Sequence, residues 1–208
     1  MTTLAIETSR GTARVRLHPV RGARGALLLG HGAGGGVDAP DLQTASRVAQ
    51  SQQFTVAMVE QPYRVAGRRA PAPAAHLDAA WLEVVARLRT RELRRLPLIF
   101  GGRSMGARVA CRTAPTGDAS AVLCLAFPLL PPRRATAAKP PASRLPELDA
   151  TGVPTLVVQG ARDAFGMPPP GTDREIVRVT GDHSLRTDLG AVGSAVEAWL
   201  FGLALGSA

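Results

Sequence analysis

The sequence predicts an α/β fold, a mostly parallel twisted sheet with helices on both faces, built as one domain over residues 1–208. Three observations predict it. Short apolar runs alternate with stretches of helical spacing along the whole chain. Two of those runs, Ala26-Leu27-Leu28-Leu29 and Thr155-Leu156-Val157-Val158, are continuously apolar, as strands covered on both faces are. A chain of 208 residues is long enough for one such domain and too short for two full ones.

Taken in order, strands are expected at Ala13–Leu17, Gly25–Leu29, Phe54–Val59, Leu96–Phe100, Ala121–Phe127, Pro154–Gln159 and Glu175–Val179. A helix should start near Pro40, because proline's fixed φ suits the first helical position. From Ala74 to Arg95 the stripe Leu77, Trp81, Val84, Val85 and Leu88 marks an amphipathic helix, with Arg87, Arg91 and Arg94 off it. A further helix should run from Ser104 to about Thr113. The last, from about Asp188 to Leu203, buries Leu189, Val192, Val196, Trp199 and Leu200. Gln61–Pro73 and Pro128–Pro146 are rich in Pro and Arg and read as loops. Both follow strand ends, where open α/β sheets place ligands. Only about two dozen residues separate the Ala121–Phe127 strand from the next, too few for a large cap.

Composition narrows the function classes. Apolar residues make up 45% and charged residues 20%, which is ordinary for a globular protein and argues against disorder. No apolar run approaches the roughly 18–20 residues of a membrane span, and MTTLAIETSRG lacks a secretory apolar stretch. Cys111 and Cys124 sit among apolar neighbours and make no disulfide framework, so a reduced, cytoplasmic setting is expected. The net charge is +9, with Lys139 the one lysine among 25 basic residues. The arginines are spread along the chain and aromatics are only 4%, so neither a nucleic acid nor a membrane is expected as partner. The oligomeric state is not legible.

The sharpest local pattern is Gly102-Arg103-Ser104-Met105-Gly106, a G-x-S-x-G. An apolar run leads into it and the helical run Ala107–Cys111 leads out. Strand, sharp turn and helix together would project the Ser104 hydroxyl at the sheet's carboxyl edge, with a helix N-terminus behind it favouring negative charge. Without that context the motif is equally a glycine-flanked helix cap. A serine needs a base to attack at neutral pH. Of the four histidines, His18 ends an early strand and reads as a surface residue, His76 opens the long helix without an evident partner, and His31 adjoins a glycine loop where a structural role suits it. His183, in Gly181-Asp182-His183-Ser184, follows the last strand at the same edge as Ser104. The orienting acid is read as Asp163, four residues past the strand end at Gln159. Asp173, Asp182 and Asp188 compete from a Pro/Gly loop, the histidine's own turn and a helix cap. Nucleophile, acid, base is the chain order expected when the nucleophile follows a mid-sheet strand.

Acyl transfer also needs donors for a tetrahedral oxyanion, and glycine-rich turns expose backbone N–H groups. Gly30-His31-Gly32-Ala33-Gly34-Gly35-Gly36 supplies such a turn, with Ala33 as donor (Gly34 is the alternative) and Met105 as the second. The same loop satisfies G-x-G-x-x-G, and Glu60 ends the next strand as a ribose-binding acid would. That reading fails on helix placement. Val37-Asp38-Ala39-Pro40 intervenes before the helix, whereas a dinucleotide site starts its helix within the glycines. A Walker-type loop is excluded because no lysine follows.

With these pieces assembled, the chain resembles the α/β-hydrolase superfamily over nearly its whole length. It is most similar to a compact, dienelactone-hydrolase-like branch of bacterial predicted hydrolases. That branch is related to the hydrolase-like domain of non-specific-lethal chromatin complex and testis-expressed proteins. The resemblance rests on Gly30–Gly36, Pro62-Tyr63-Arg64 through Gly67-Arg68-Arg69, Gly101–Gly106, Phe127-Pro128-Leu129, Gln159–Gly166 and Gly181–Ser184. It departs at Leu130-Pro131-Pro132, where a phrase like Phe-Pro-Leu-His-Pro-Pro would carry a histidine. The resemblance implies nucleophile Ser104, acid Asp163 and base His183. The expected activity is hydrolysis of a small carboxylic ester or thioester, with a small-molecule acyl substrate and no metal or organic cofactor. The alternative is a non-catalytic interaction or scaffold protein on the same fold. Arg64, Arg68, Arg69 and Arg103 could draw an anionic substrate. Arg103, beside the nucleophile, is the candidate substrate-binding residue, and a salt bridge is its competing role.

Overall fold

The computed structural model describes residues 1–131 and 142–204. Among them, eight strands form one sheet in the order β1-β2-β4-β3-β5-β6-β7-β8. These are β1 (Thr2–Thr8), β2 (Gly11–His18), β3 (Gly25–Gly30), β4 (Phe54–Glu60), β5 (Leu98–Arg103), β6 (Ala121–Leu125), β7 (Thr155–Gly160) and β8 (Arg174–Val179). The β1–β2 and β2–β4 pairings are antiparallel, and all those from β4 through β8 are parallel. The helices are α1 (Pro40–Ser51), α2 (Pro62–Val65), α3 (Ala74–Arg89), α4 (Met105–Thr113), α5 (Leu145–Asp149) and α6 (Leu189–Gly202).

The period-2 alternation of the central strands divides the core in two. Leu28, Phe100, Val122, Cys124 and Val157 face α3 and α4, packing with Leu77, Trp81, Val109 and Ala110. Leu27, Leu29, Ile99, Leu123, Leu156 and Val158 face α1 and α6, packing with Leu42, Ala45, Val192, Val196 and Leu200. Residues 26–29 and 156–158 are fully buried, as two-sided strands must be. The chain steps from β3 outward to β4, then back across β3 to β5 and on to β8. The carboxyl ends of β3 and β5 therefore flank the switch point, where such sheets open a crevice.

Several elements differ from the sequence expectation. β1 lies outside the expected strands, which begin at Ala13. It is an edge strand whose alternation buries only Ile6 fully, and it returns through Gly11 at φ 104°. The long helix ends at Arg89 rather than Arg95, because the Thr90 hydroxyl takes the Arg87 carbonyl at 2.8 Å and the chain folds Leu93 under into the core. The stretch Gln61–Pro73 contains the short helix α2, and α5 begins at the end of Pro128–Pro146, each helix with proline in its first turn. The rest of the Pro128–Pro146 expectation, at 132–141, lies outside the described residues, as does Pro132 of the departing phrase. No helix among the described residues is long and apolar enough to cross a membrane.

Candidate active site

The site is assembled where β3, β5, β7 and β8 end. Ser104 follows β5 at φ 52° and ψ −108°, a conformation that costs a non-glycine residue about 1–3 kcal/mol and persists only where its surroundings impose it. Three contacts impose it here. The Ser104 amide donates to the Leu125 carbonyl at 2.9 Å. A Cβ at Gly102 would meet the Gly30 oxygen at 2.6 Å, and one at Gly106 would collide with the same Gly30 backbone. Both motif glycines are therefore demanded by the close approach of β3 to the first turn of α4.

His183 sits in the loop between β8 and α6. Gly181 (φ 122°) turns the chain beneath Thr187, where a Cβ would come within 2.8 Å of the hydroxyl. Asp182 accepts from the Ser184 amide at 2.8 Å and its hydroxyl at 2.6 Å, and these bonds hold its carboxyl below the usual range. That turn delivers the imidazole to Ser104. Nε2 lies 2.9 Å from Oγ, and Nδ1 lies 2.8 Å from Asp163 Oδ2. The Phe165 ring packs on the imidazole at 4.4 Å between centroids, tilted by 52°.

The Asp163 side chain is fully buried. Its Oδ1 accepts from the Phe165 amide at 2.8 Å and its Oδ2 from Gln159 Nε2 at 2.8 Å. All its partners are donors, so the shared proton with His183 sits on Nδ1 and leaves the Nε2 lone pair facing the Ser104 hydroxyl. Gln159 Nε2 also approaches the Phe127 and Gly166 carbonyls, at 3.0 and 2.9 Å. One buried amide thus ties the acid loop to the end of β6, leaving its own Oε1 without a partner. The competing acids lie elsewhere: Asp182 in its own turn, Asp188 capping α6 through the Ala191 amide at 2.9 Å, and Asp173 on the loop before β8.

The glycine loop after β3 lies against the nucleophile. His31 is fully buried, and its Nε2 accepts from the Gln61 amide at 3.1 Å. Its proton is therefore on Nδ1, which donates to the Gly32 carbonyl at 2.8 Å. The Gly35 amide reaches the same carbonyl at 3.3 Å. A trans peptide points its N–H opposite its C=O, so anchoring the Gly32 oxygen projects the Ala33 N–H the other way. Tyr63 Oη donates to the Ala33 carbonyl at 3.0 Å and holds the next peptide as well. Among the described residues, the amides of Ala33 and Met105 donate to no protein acceptor.

The family model described as an alpha/beta hydrolase domain matches residues 23–188. The chain belongs to that family. Solved structures agree in fold at low identity. Est1E from Butyrivibrio proteoclasticus superposes with a TM-score of 0.77 at 13% identity, covering 97% of this chain and 98% of that one. Dienelactone hydrolase from Anabaena variabilis gives 0.73 at 15%, covering 96% and 94%. An α/β serine hydrolase without lid from Xanthomonas campestris gives 0.68 at 19%, covering 95% and 94%. No curated protein sequence matches.

Within this α/β-hydrolase domain Arg103 is half-buried. Its Nε lies 2.9 Å from Asp41 Oδ2, and its Nη2 donates to the His183 carbonyl at 3.1 Å. Arg64 lies on α2, and Arg68 and Arg69 follow it. Arg68 borders a cleft of about 440 Å³ with Arg10, Tyr63 and His76, whose lining includes none of Ser104, Asp163 or His183. Among the described residues no group of three His, Cys, Asp or Glu side chains is arranged to hold a metal ion. Sequence reasoning missed three contributors. Gln159 carried a signal, a lone amide closing an apolar run. Phe165 falls within Gln159–Gly166, but nothing there marks its ring's place against His183, and Asp41 carried no signal, since Arg103 is distant from it in sequence.

The neutral state of His31 has a pH consequence. Burial pushes its pKa below the ordinary 6.5, with the Gly32 carbonyl opposing in part. Unfolded chains then bind a proton that the folded chain does not, so stability falls as pH drops below 6.5 toward the depressed value. One such proton is worth about 1.4 kcal/mol per pH unit. Urea unfolding at pH 7.5, 6.5 and 5.5 should show this slope, and His31→Gln should lose part of it. An identical slope in the variant would mean that His31 is not held neutral.

Proposed function

We propose that this α/β-hydrolase domain is a serine hydrolase that cleaves a small carboxylic ester or thioester through an acyl-enzyme on Ser104. The observation that carries the reading is the continuous hydrogen-bonded chain from Ser104 Oγ through His183 to Asp163. His183 Nε2 takes the hydroxyl proton as Oγ attacks the substrate carbonyl carbon. Asp163 stabilises the imidazolium and keeps it in register. The carbonyl oxygen, now negative, meets the N–H groups of Ala33 and Met105, with the α4 N-terminus behind them. As the tetrahedral intermediate collapses, the imidazolium gives its proton to the leaving alcohol or thiol. Water then attacks the acyl-enzyme, with His183 as base, and releases the acid and free Ser104.

The short connection between β6 and β7, residues 126–154, leaves no length for a large cap over the crevice. An open site suits small or extended acyl groups better than a long lipid chain.

The test is fluorophosphonate labelling read by intact mass, followed by a panel of short-chain esters and thioesters. A single adduct on the wild type, lost in Ser104→Ala and His183→Ala, is the expected result. No adduct on folded protein would overturn the reading and favour a non-catalytic interaction role for the fold.

A further inference from the structure

Arg103 is the last residue of β5 and immediately precedes Ser104, yet its side chain reaches three other parts of the site. Nε approaches Asp41 on α1, and Nη2 donates to the carbonyl of His183. Nη1 lies against the glycine loop, where a Cβ on Gly32 would come within 3.0 Å of it. Asp41 is fully buried and its Oδ1 accepts from the Leu42 amide at 3.0 Å. The Arg103–Asp41 contact has ion-pair distance without an aligned N–H, since Asp41 Oδ2 lacks a hydrogen-bond partner of good geometry.

Such a pair is a poor device for stability. Taking two charges out of water costs more than their attraction commonly returns, and an apolar pair of similar volume packs as well. Desolvation accordingly pushes the Asp41 carboxyl above its ordinary value, although the guanidinium opposes the shift. What an apolar pair lacks is a directed donor. A guanidinium is a rigid planar fork, so drawing it against Asp41 by charge restricts where Nη2 points. Nη2 points at the carbonyl of the residue that carries the imidazole.

We propose that Arg103 and Asp41 are a positioning pair that holds the His183 loop in register with Ser104, an inference that rests on the serine-hydrolase reading above. The imidazole must meet Oγ within hydrogen-bond reach, and a misplacement of about 1 Å can cost on the order of 100-fold in rate. Because the same guanidinium abuts Gly32, it also sets the base loop against the oxyanion loop. Nη2, one of the donors that would greet an acidic substrate, is engaged within the protein.

The experiment compares wild type, Arg103→Met, Arg103→Lys and the double variant Asp41→Leu/Arg103→Met. It measures fluorophosphonate labelling rate per folded molecule, kcat and KM on a neutral and an acidic ester, Tm, and the imidazole N–H proton signal of His183 by NMR. Arg103→Met should label roughly 10–100-fold more slowly with KM little changed, and its imidazole signal should shift or broaden. Lysine should recover only part of the rate, since one ammonium cannot hold Asp41 and aim at His183 together. The double variant removes the unpaired buried acid and should regain Tm without regaining the labelling rate. A double variant that labels like wild type would reduce the pair to packing and overturn the proposal. A KM increase confined to the acidic ester would overturn it in favour of substrate binding. If the wild type does not label, the hydrolase reading falls separately, and the NMR signal decides the pair: unchanged across the variants, it overturns the positioning role too.

Discussion

Asp163→Asn is expected to lower kcat/KM about 10⁴-fold, or about 5.4 kcal/mol of transition-state stabilisation. This should be the largest kinetic loss of any variant that keeps both Ser104 and His183. The size follows from what surrounds the carboxylate. It receives three donors: the Phe165 amide, Gln159 Nε2 and His183 Nδ1. An asparagine in the same place has one acceptor oxygen. If that oxygen serves Phe165, the new NH₂ faces both Gln159 and His183 and can accept from neither. The imidazole then relieves the clash by moving its proton to Nε2, which turns the base toward Ser104 with its N–H instead of its lone pair. Geometry would be nearly kept while the proton sits on the wrong nitrogen. KM should stay close to wild type, because nothing that would hold substrate has moved. Steady-state kinetics on a short-chain ester checks this. A loss smaller than about tenfold would mean that Asp163 does not set the tautomer of His183.

The same cluster shows which parts of the site a sequence can reveal. Ser104 is legible because its strain needs small neighbours, and the structure supplies the reason. Gly102 and Gly106 each face the Gly30 backbone closer than a Cβ allows. Asp163 is legible because it follows the apolar run Thr155–Val158 and His183 because it follows the strand-like run Glu175–Val179, and parallel strands of one sheet end at one edge. That inference needs no side-chain detail. Asp41 is illegible for the converse reason. An acid in the first turn of a helix after proline is what a solvated N-terminus also looks like, and only the fold brings Arg103 of β5 onto it. Gln159 lies between the two cases. A polar residue ending the run Thr155–Val158 announces a buried amide, but its acceptors on Phe127 and Gly166 depend on two loops meeting. The fold shows the same division. The fully buried strands are unmistakable in sequence, whereas β1 is an edge strand with a single fully buried residue and little apolar signal.

The largest stability loss is expected from Gly106→Ala. Two effects oppose each other there. Alanine in a helix is favoured over glycine by about 1 kcal/mol, and the φ of Gly106 is not in the left-handed region, so the backbone itself accepts a side chain. Against this, the added Cβ would overlap the carbonyl of Gly30 and come within 2.9 Å of the His31 oxygen. Those atoms are backbone at the end of a central strand whose neighbours are fully buried, so no flexible side chain can give way. Overpacking of a rigid core costs typically about 1–3 kcal/mol and more when backbone must shift, which exceeds the propensity gain. A net loss of about 2 kcal/mol or more is expected, or roughly 4–8 °C in Tm for a chain of this size. Gly34→Ala is the control, since nothing lies within 4 Å of its Cβ position, and it should change Tm little. The lesion also has a direction. Moving α4 away from β3 carries the Met105 N–H away from the Ala33 N–H, so labelling should slow in whatever fraction stays folded. If Gly106→Ala melts with the wild type, the helix does not rest on Gly30 in solution. The contact that forces Ser104 into its strained turn would then have to be sought elsewhere.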